Sequence, residues 1–306
     1  MSVLSDEAVA GLLQLERIMT AGNYASRSKE AYAREIRYFA EYFPDLAPKQ
    51  WTEDHVVEYM NYLKKTLGSS YSKHKMVAQS MAFFFRHVLK TPFDSKSKLY
   101  PRREFKLPCV LSQEEIKLLL KHASSPKQRA LVELFYSSGM RLEELQYLKM
   151  TDIEASNNRI RVNNGKGKKQ RFTILSKTCL KTLREYYKME EVKPKVYLFE
   201  GQTPGKPMNS RSIQHSVRMA YKNAGLMHKE RKVHALRHSF ATHMLDNGMD
   251  IFTIKELLGH SKIETTMVYL HLQTSKRNAL VSPLDVLYKP KNEIELIATG
   301  SAVLNG

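Results

Sequence analysis

The sequence predicts a mainly α-helical chain in two parts: an N-terminal four-helix domain, then a helical α+β domain with a small antiparallel sheet. Three observations predict it. Apolar residues recur at spacings of three and four along most of the chain, the period of one helix face. That period gives way to alternation in Arg159-Ile160-Arg161-Val162 and Arg171-Phe172-Thr173-Ile174-Leu175. Between the two parts, residues 92–111 hold Pro92, Pro101 and Pro108 without any helical period.

The N-terminal domain spans residues 1–91. Leu12, Leu15, Ile18 and Met19 mark a first helix, and Tyr32, Ile36, Phe39 and Phe43 form the apolar stripe of a second. Val56, Met60 and Leu63 mark a third, with Thr52 as its N-cap and Glu53 and Asp54 matching the helix dipole. Val77, Met81, Phe84, Phe85 and Val88 give a bulky fourth stripe. Gly22, Pro44-Asp45 and Gly68-Ser69-Ser70 separate these segments. The polar faces are basic. Arg27, Lys29, Arg34, Lys73 and Lys75 are candidates for phosphate contacts, each one also readable as part of a solvated surface.

Residues 92–111 read as an extended basic linker, and Arg102 and Arg103 within it are further candidates for DNA contacts. The second domain runs from 112 to 287. Ser112 and Glu115 make a capping box ahead of Ile116, Leu119 and Leu120. A helix through Ala130, Leu131, Leu134 and Phe135 ends at Ser138-Gly139, and the next starts at Arg141. The two alternating runs form a hairpin turning at Gly165-Lys166-Gly167. Helices are expected at about 177–189, 209–224, 234–247, 251–258 and 263–273. Residues 288–306 form a tail without pattern.

Lys and Arg total 49 against 31 Asp and Glu, so the formal charge is 49 − 31 = +18. A surplus of that size favours a polyanionic partner, most simply nucleic acid. Two cysteines, Cys109 and Cys179, exclude a disulfide framework or a multi-Cys zinc site and fit a reducing compartment. No run approaches the roughly 18 to 20 apolar residues of a membrane span. Asp6 and Glu7 stand where a secretory signal carries basic residues, so a cytoplasmic protein without a membrane partner is expected.

Polar residues gather at four places that packing alone explains poorly. Arg141 lies at a helix mouth, suited to an oxyanion, with an ion pair to Glu144 as the structural alternative. Lys166 sits in the glycine-flanked turn, where an exposed basic loop is the alternative. His234 and Arg237 share a helix face. His260 follows Gly259, a natural helix C-terminus, and Tyr269 lies on the helix beyond. The recurrence of His234, His238 and His243 suggests a metal, but no acidic ligand accompanies them and Arg237 would repel a cation, so no metal is expected. Taken together, the set is an electropositive pocket around one phenol. A phenol, with its pKa near 10, is a poor nucleophile in neutral water; beside cations and a phosphate it can lose its proton as it attacks.

Arg141, Lys166, His234-Ala235-Leu236-Arg237, Leu258-Gly259-His260 and Tyr269 resemble the signature of the tyrosine recombinases, or phage integrase family. The spacings of 3, 23 and 9 across His234, Arg237, His260 and Tyr269 carry the likeness, which spans about 112–287. HALRHSFATHMLDNG and IKELLGHSKIETTMVYLHL are similar to Xer-type resolvases and integron integrases. Val281-Ser282-Pro283-Leu284-Asp285 also resembles integron integrases. The short stretch from Lys166 to His234, however, leaves no room for their extra helix, so a mobile-element integrase or Xer-like resolvase is preferred.

The resemblance implies that Tyr269 attacks the scissile phosphate to form a 3′-phosphotyrosyl link. Arg141 and Arg237 clamp the phosphate, His260 adds a donor, and His234 accepts or relays the phenol proton. Lys166 is the general acid, with Lys168 the alternative, and Glu144 orients Arg141. Strand exchange through a Holliday junction needs no cofactor, metal or ATP. The implied partners are paired double-stranded DNA sites, further copies of the chain as a tetramer on DNA, and accessory DNA-bending proteins; nucleoid association follows. Two other readings remain at this point: a type IB topoisomerase, separable by whether two sites are required, and a non-catalytic DNA-binding protein, which has no use for Tyr269.

Overall fold

Helix starts follow the capping residues of the sequence. Ser5, Thr52 and Ser70 each accept a backbone N–H from the first turn of the helix they precede. The computed structural model describes residues 4–93, 107–163, 170–227 and 233–272, and its backbone divides into units 1–105 and 106–306.

The first unit holds α1 (Asp6–Ala21), α2 (Ser26–Tyr42), α3 (Glu53–Lys65) and α4 (Tyr71–Phe84). Their inward faces are the expected stripes: Leu15, Met19, Ile36, Phe39, Val56, Leu63, Val77, Met81 and Phe84 are buried together. Trp51 meets Phe39 edge to face, with ring centroids 4.9 Å apart. After α4 the chain widens into a π-type turn, Phe85–Leu89, which brings the consecutive residues Phe84 and Phe85 both into the core.

In the second unit, Ser112 and Glu115 form the predicted reciprocal capping box at α5 (Gln113–Lys121). α6 (Pro126–Ser138) is the central helix, packed against α8 (Lys177–Met189) and α10 (Val233–Asp246). Its Ala130, Leu131, Leu134 and Phe135 are wholly buried. Pro126 opens α6, where a missing N–H costs nothing, and Gly139 ends it at φ +61°. The short α7 (Leu142–Gln146) follows.

The sheet has three antiparallel strands in the order β1 (Ile153–Glu154), β2 (Arg159–Val162), β3 (Arg171–Ile174). Val162 pairs with Arg171 and Arg161 with Phe172. The two-residue β1 was not expected, since it is too short to show alternation. α9 (Ser210–Asn223) and α11 (Ile251–Leu258) match the predicted helices.

The expected helix over 263–273 is corrected. α12 (Glu264–Met267) lasts one turn and tightens into a 3-10 turn, Val268–Leu272, that carries Tyr269. The β-branched Thr265, Thr266 and Val268 are weak α-helix formers, consistent with the change of winding.

Of the linker, residues 107–111 carry neither helix nor strand. Leu111 is buried against the second unit, its N–H donating to Ser239 Oγ at 2.8 Å. Arg102, Arg103, Lys166, Lys168, the hairpin tip and the segments assigned to 273–287 and 288–306 lie outside the described residues. No helix among the described residues is long and apolar enough to cross a membrane.

Candidate active site

Glu144 organises the site. Its side chain is 1% exposed and anchors two arginines from different elements. Arg141, the residue that opens α7, donates its backbone N–H to Oε2 and Nη1 to Oε1, both at 2.8 Å. Arg171 at the start of β3 makes a two-point fork, Nη1 to Oε1 and Nη2 to Oε2, each 2.8 Å. Burial would raise the Glu144 carboxyl. Arg171 first, then Arg141, outweigh burial and hold it at about 2.

Arg237 on α10 is 3% exposed, with Nη1 lying 3.9 Å from Glu144 Oε2. Nη1 donates to the Gly139 carbonyl and Nη2 to the Leu258 carbonyl, the latter at 2.7 Å. Burial, and next the charge of Arg141, lower its guanidinium to about 9, still cationic at neutral pH. Arg141 Nη2 reaches the Gly259 carbonyl at 3.0 Å. The carbonyls that end α6 and α11 therefore hold both guanidinium groups in place.

Two glycines make these approaches possible. Gly139 at φ +61° lies so close to Phe240 that a Cβ would stand 2.5 Å from its ring. At Gly259, φ +64°, a Cβ would stand 2.9 Å from Arg171 Cδ.

His260 lies between Arg237 and the tyrosine segment. Arg237 Nη2 is 3.1 Å from His260 Nε2, and Thr266 Oγ1 is 2.9 Å from Nδ1. A guanidinium can only donate, so Nε2 accepts and the proton belongs on Nδ1, toward Thr266. Burial, followed by the charges of Arg237, Arg141 and Arg171, lowers the imidazole to about 3, so it is neutral.

Tyr269 is 2% exposed, among Phe240, Leu245, Ile254 and Leu258. Its phenol nevertheless has a polar partner: Oη is 2.9 Å from His238 Nδ1. Burial raises the phenol pKa, while Arg237 and Arg141 pull it back down. The hydroxyl is thus protonated at rest and within the field of both arginines. His234, one turn before His238 on α10, is exposed and lines a cleft of about 520 Å³ with Arg211, His215 and Arg218.

The structure brings Arg141, Glu144, Arg237, His260 and Tyr269 together, with His234 at the rim. Three guanidinium groups against one carboxylate leave 3 − 1 = +2 in the niche, which suits an anion. Among the described residues no three His, Cys, Asp or Glu side chains converge as metal ligands.

Sequence reasoning missed Arg171 and His238. Alternation could have placed Arg171 on the inward face with Thr173, but Phe172 made the opposite face look like the buried one; in the structure Thr173 is 2% exposed and Phe172 43%. His238 stands out in the sequence only as one of the three recurring histidines, His234, His238 and His243.

The candidate DNA contacts of the first unit differ in their surroundings. Arg27 and Lys75 are exposed. Lys29 Nζ donates to Thr20 Oγ1 at 3.1 Å, and Arg34 lies 3.5 Å from Glu35. Lys73 is in an ion pair with the buried Glu35 and stands 4.9 Å above the Tyr38 ring.

Residues 109–276 match the phage integrase family, and residues 12–95 match the N-terminal SAM-like domain of phage integrases. The chain is 31% identical over 264 residues to the tyrosine recombinase XerD of Listeria monocytogenes serotype 4b (strain F2365), covering 79% of this chain and 87% of that protein. XerD of Rickettsia bellii (strain RML369-C) is 29% identical over 296 residues, covering 88% and 97%. Among solved structures, XerH site-specific recombinase bound to palindromic difH substrate in a post-cleavage complex superposes with a TM-score of 0.68 at 26% identity, covering 87% of this chain and 82% of that one. A lambda integrase dimer bound to a COC' core site shares the fold, with a TM-score of 0.68 at 17% identity, covering 85% and 76%. The chain belongs to the phage integrase family, as a tyrosine recombinase of the Xer-like type.

Proposed function

We propose that this chain recombines paired DNA sites by cutting and rejoining one strand at a time through a 3′-phosphotyrosyl link on Tyr269. The observation that carries this reading is geometric: Arg141 and Arg237 are fixed on the carbonyls of Gly139, Leu258 and Gly259, and Tyr269 belongs to the buried cluster that holds Leu258. When a phosphodiester enters the niche, the two guanidinium groups take its non-bridging oxygens. They stabilise the charge that grows there as the tyrosine oxygen bonds to phosphorus. Glu144 and Arg171 keep the clamp in place, and neutral His260 orients Arg237. Lys166, with Lys168 as the alternative, protonates the departing 5′-oxygen. The bond energy of the phosphodiester is kept in the protein link, so a 5′-hydroxyl from the partner duplex can attack it and complete the exchange without ATP.

Two consequences follow. Because Tyr269 is 2% exposed, DNA binding has to shift the Val268–Leu272 turn before attack. Recombination also joins four strand ends, so the working form is a tetramer on two duplexes, with accessory DNA-bending proteins possible partners where sites must be brought together. The place of action is then DNA in the nucleoid, a reading in keeping with XerH having been solved on its difH substrate. The test is a duplex from DNA flanking this gene, nicked beside the cut so that the short product diffuses away. Wild type should accumulate a covalent adduct. Tyr269→Phe should bind equally well and form none; a wild type that binds and leaves no adduct contradicts the reading.

A further inference from the structure

Two side chains pin the strands that lead into and out of residues 164–169, the segment whose sequence holds Lys166 and Lys168. On the β3 side, Arg171 donates Nη1 and Nη2 to Glu144 and Nε to the Leu257 carbonyl, the last at 2.9 Å. On the β2 side, the ladder ends where Val162 pairs with Arg171. Asn163, one residue beyond that pair, is held by a contact of its own: Nδ2 donates to Asp152 Oδ1 at 2.6 Å. A carboxylate only accepts, so the amide presents its nitrogen. Asp152 is 5% exposed and closes the 3-10 turn Met150–Asp152, where Oδ2 accepts the Lys149 N–H at 3.0 Å. The sheet register is already set by the ladder, so the Asn163 contact adds a fixed point past its end.

We infer that Asn163 is a positioning residue for the general acid: through Asp152 it fixes the β2 end of the lysine-bearing segment, as Arg171 fixes the β3 end. This rests on the general acid being a lysine of residues 164–169. A general acid works only within about 2.6 to 3.2 Å of the oxygen it protonates. A lysine side chain has many rotamers to lose before it is held there, and six residues of free chain could span roughly 20 Å. Fixing both ends removes most of that search. Because Arg171 and Arg141 share Glu144, the β3 anchor is also tied to the phosphate clamp. In the step concerned, the phenol oxygen bonds to phosphorus, the P–O5′ bond breaks, and O5′ leaves with a proton from the lysine ammonium. Asn163 acts on these atoms only through the segment it holds.

The experiment measures single-turnover adduct formation on the nicked duplex, with either oxygen or sulfur at the bridging 5′ position of the cut. A thiolate leaves without being protonated, since a thiol pKa is about 8.5. Sulfur therefore removes the need for a general acid and for whatever positions it. Asn163→Ala should be about 10 to 10²-fold slower than wild type on oxygen and close to wild type on sulfur, with DNA binding unchanged. Asn163→Asp, the same shape with an acceptor in place of the donor, should show the same pattern.

A wild-type rate on oxygen in either variant overturns the proposal. So does an equal loss on oxygen and sulfur, which would make the contact part of the fold alone. If Asn163→Ala fails to fold, Asn163→Asp decides, since it preserves the volume of the side chain. Failure of the general-acid reading is distinct: Lys166→Ala and Lys168→Ala would then each behave alike on oxygen and sulfur. Rescue of one lysine variant by sulfur, without rescue of Asn163→Ala, would sink the positioning role and leave the general acid standing.

Discussion

The Arg171 guanidinium and the Glu144 carboxylate face each other as a matched fork, two parallel hydrogen bonds of 2.8 Å in a niche where the carboxylate is almost wholly buried. Lysine cannot reproduce that geometry. Arg171→Ala leaves a buried carboxylate short of its partner, and about 3 to 5 kcal/mol of stability should be lost in urea unfolding. Arg171→Lys should recover part of the stability and little of the adduct rate. A Lys variant with wild-type cleavage would show that charge suffices and the fork does not matter.

Arg141→Ala and Arg237→Ala should each lower adduct formation by at least about 10² to 10³-fold, the cost of removing one donor from a developing oxyanion. Affinity for the DNA site should change far less. Circular dichroism and gel-shift titration on the same samples separate this from unfolding. Loss of folding without a specific loss of cleavage would make Arg141 a structural partner of Glu144 only.

Acid should destabilise the second unit in two steps. His260 is neutral in the fold, held at about 3 against an ordinary 6.5, while the unfolded chain takes up its proton. Its contribution is complete above pH 6.5 and is lost as pH falls toward 3. Glu144, held at about 2 against 4.5, adds a loss that begins near pH 4.5. Urea midpoints at stepped pH should fall through both windows. His260→Gln should flatten the upper one, and Glu144→Gln the lower one.

Gly259→Ala and Gly248→Ala form a matched pair. Both glycines have positive φ, +64° and +89°, so alanine strains either backbone. A Cβ at 248 meets nothing within 4 Å, whereas at 259 it strikes the Arg171 side chain. Gly248→Ala should cost about 1 kcal/mol and leave cleavage intact. Gly259→Ala should cost more and slow adduct formation as well, because it displaces Arg171 and the His260 turn together.

Lys73 and Lys75, two residues apart on α4, should behave differently. Lys75 is exposed, and Lys75→Ala should weaken DNA binding and lower the slope of log affinity against log salt by about one. Lys73 is ion-paired with buried Glu35, so Lys73→Ala should chiefly destabilise the first unit. Equal salt slopes in the two variants would count against this division.

Much of this architecture was legible from patterns of period and cap. The stripe from Tyr32 to Phe43, the capping box at Ser112 and the glycine stops at 139 and 259 needed only local rules. So did the strand pair on either side of residue 165. What stayed hidden depended on three-dimensional convergence. Arg171, Gly259 and Glu144 are far apart in sequence, and no spacing reveals that one guanidinium touches all three elements. The inward face of β3 was disguised because a buried polar pair replaced the apolar residue that alternation favours. The turn holding Tyr269 resembles α-helix in sequence because the apolar spacing of Val268, Tyr269 and Leu272 fits either winding. His238 gives no local signal because its partner, the phenol, lies 31 residues away on another element.

The central claim is that one phenol oxygen becomes bonded to DNA. Proteolysis of the trapped adduct, followed by mass spectrometry of the nucleotide-bearing peptide, tests it most directly. The account predicts a peptide modified at Tyr269 by the 3′-phosphate end of the cut strand, with the released strand carrying a free 5′-hydroxyl. Modification of any other residue, or attachment through a 5′-phosphate, would contradict it.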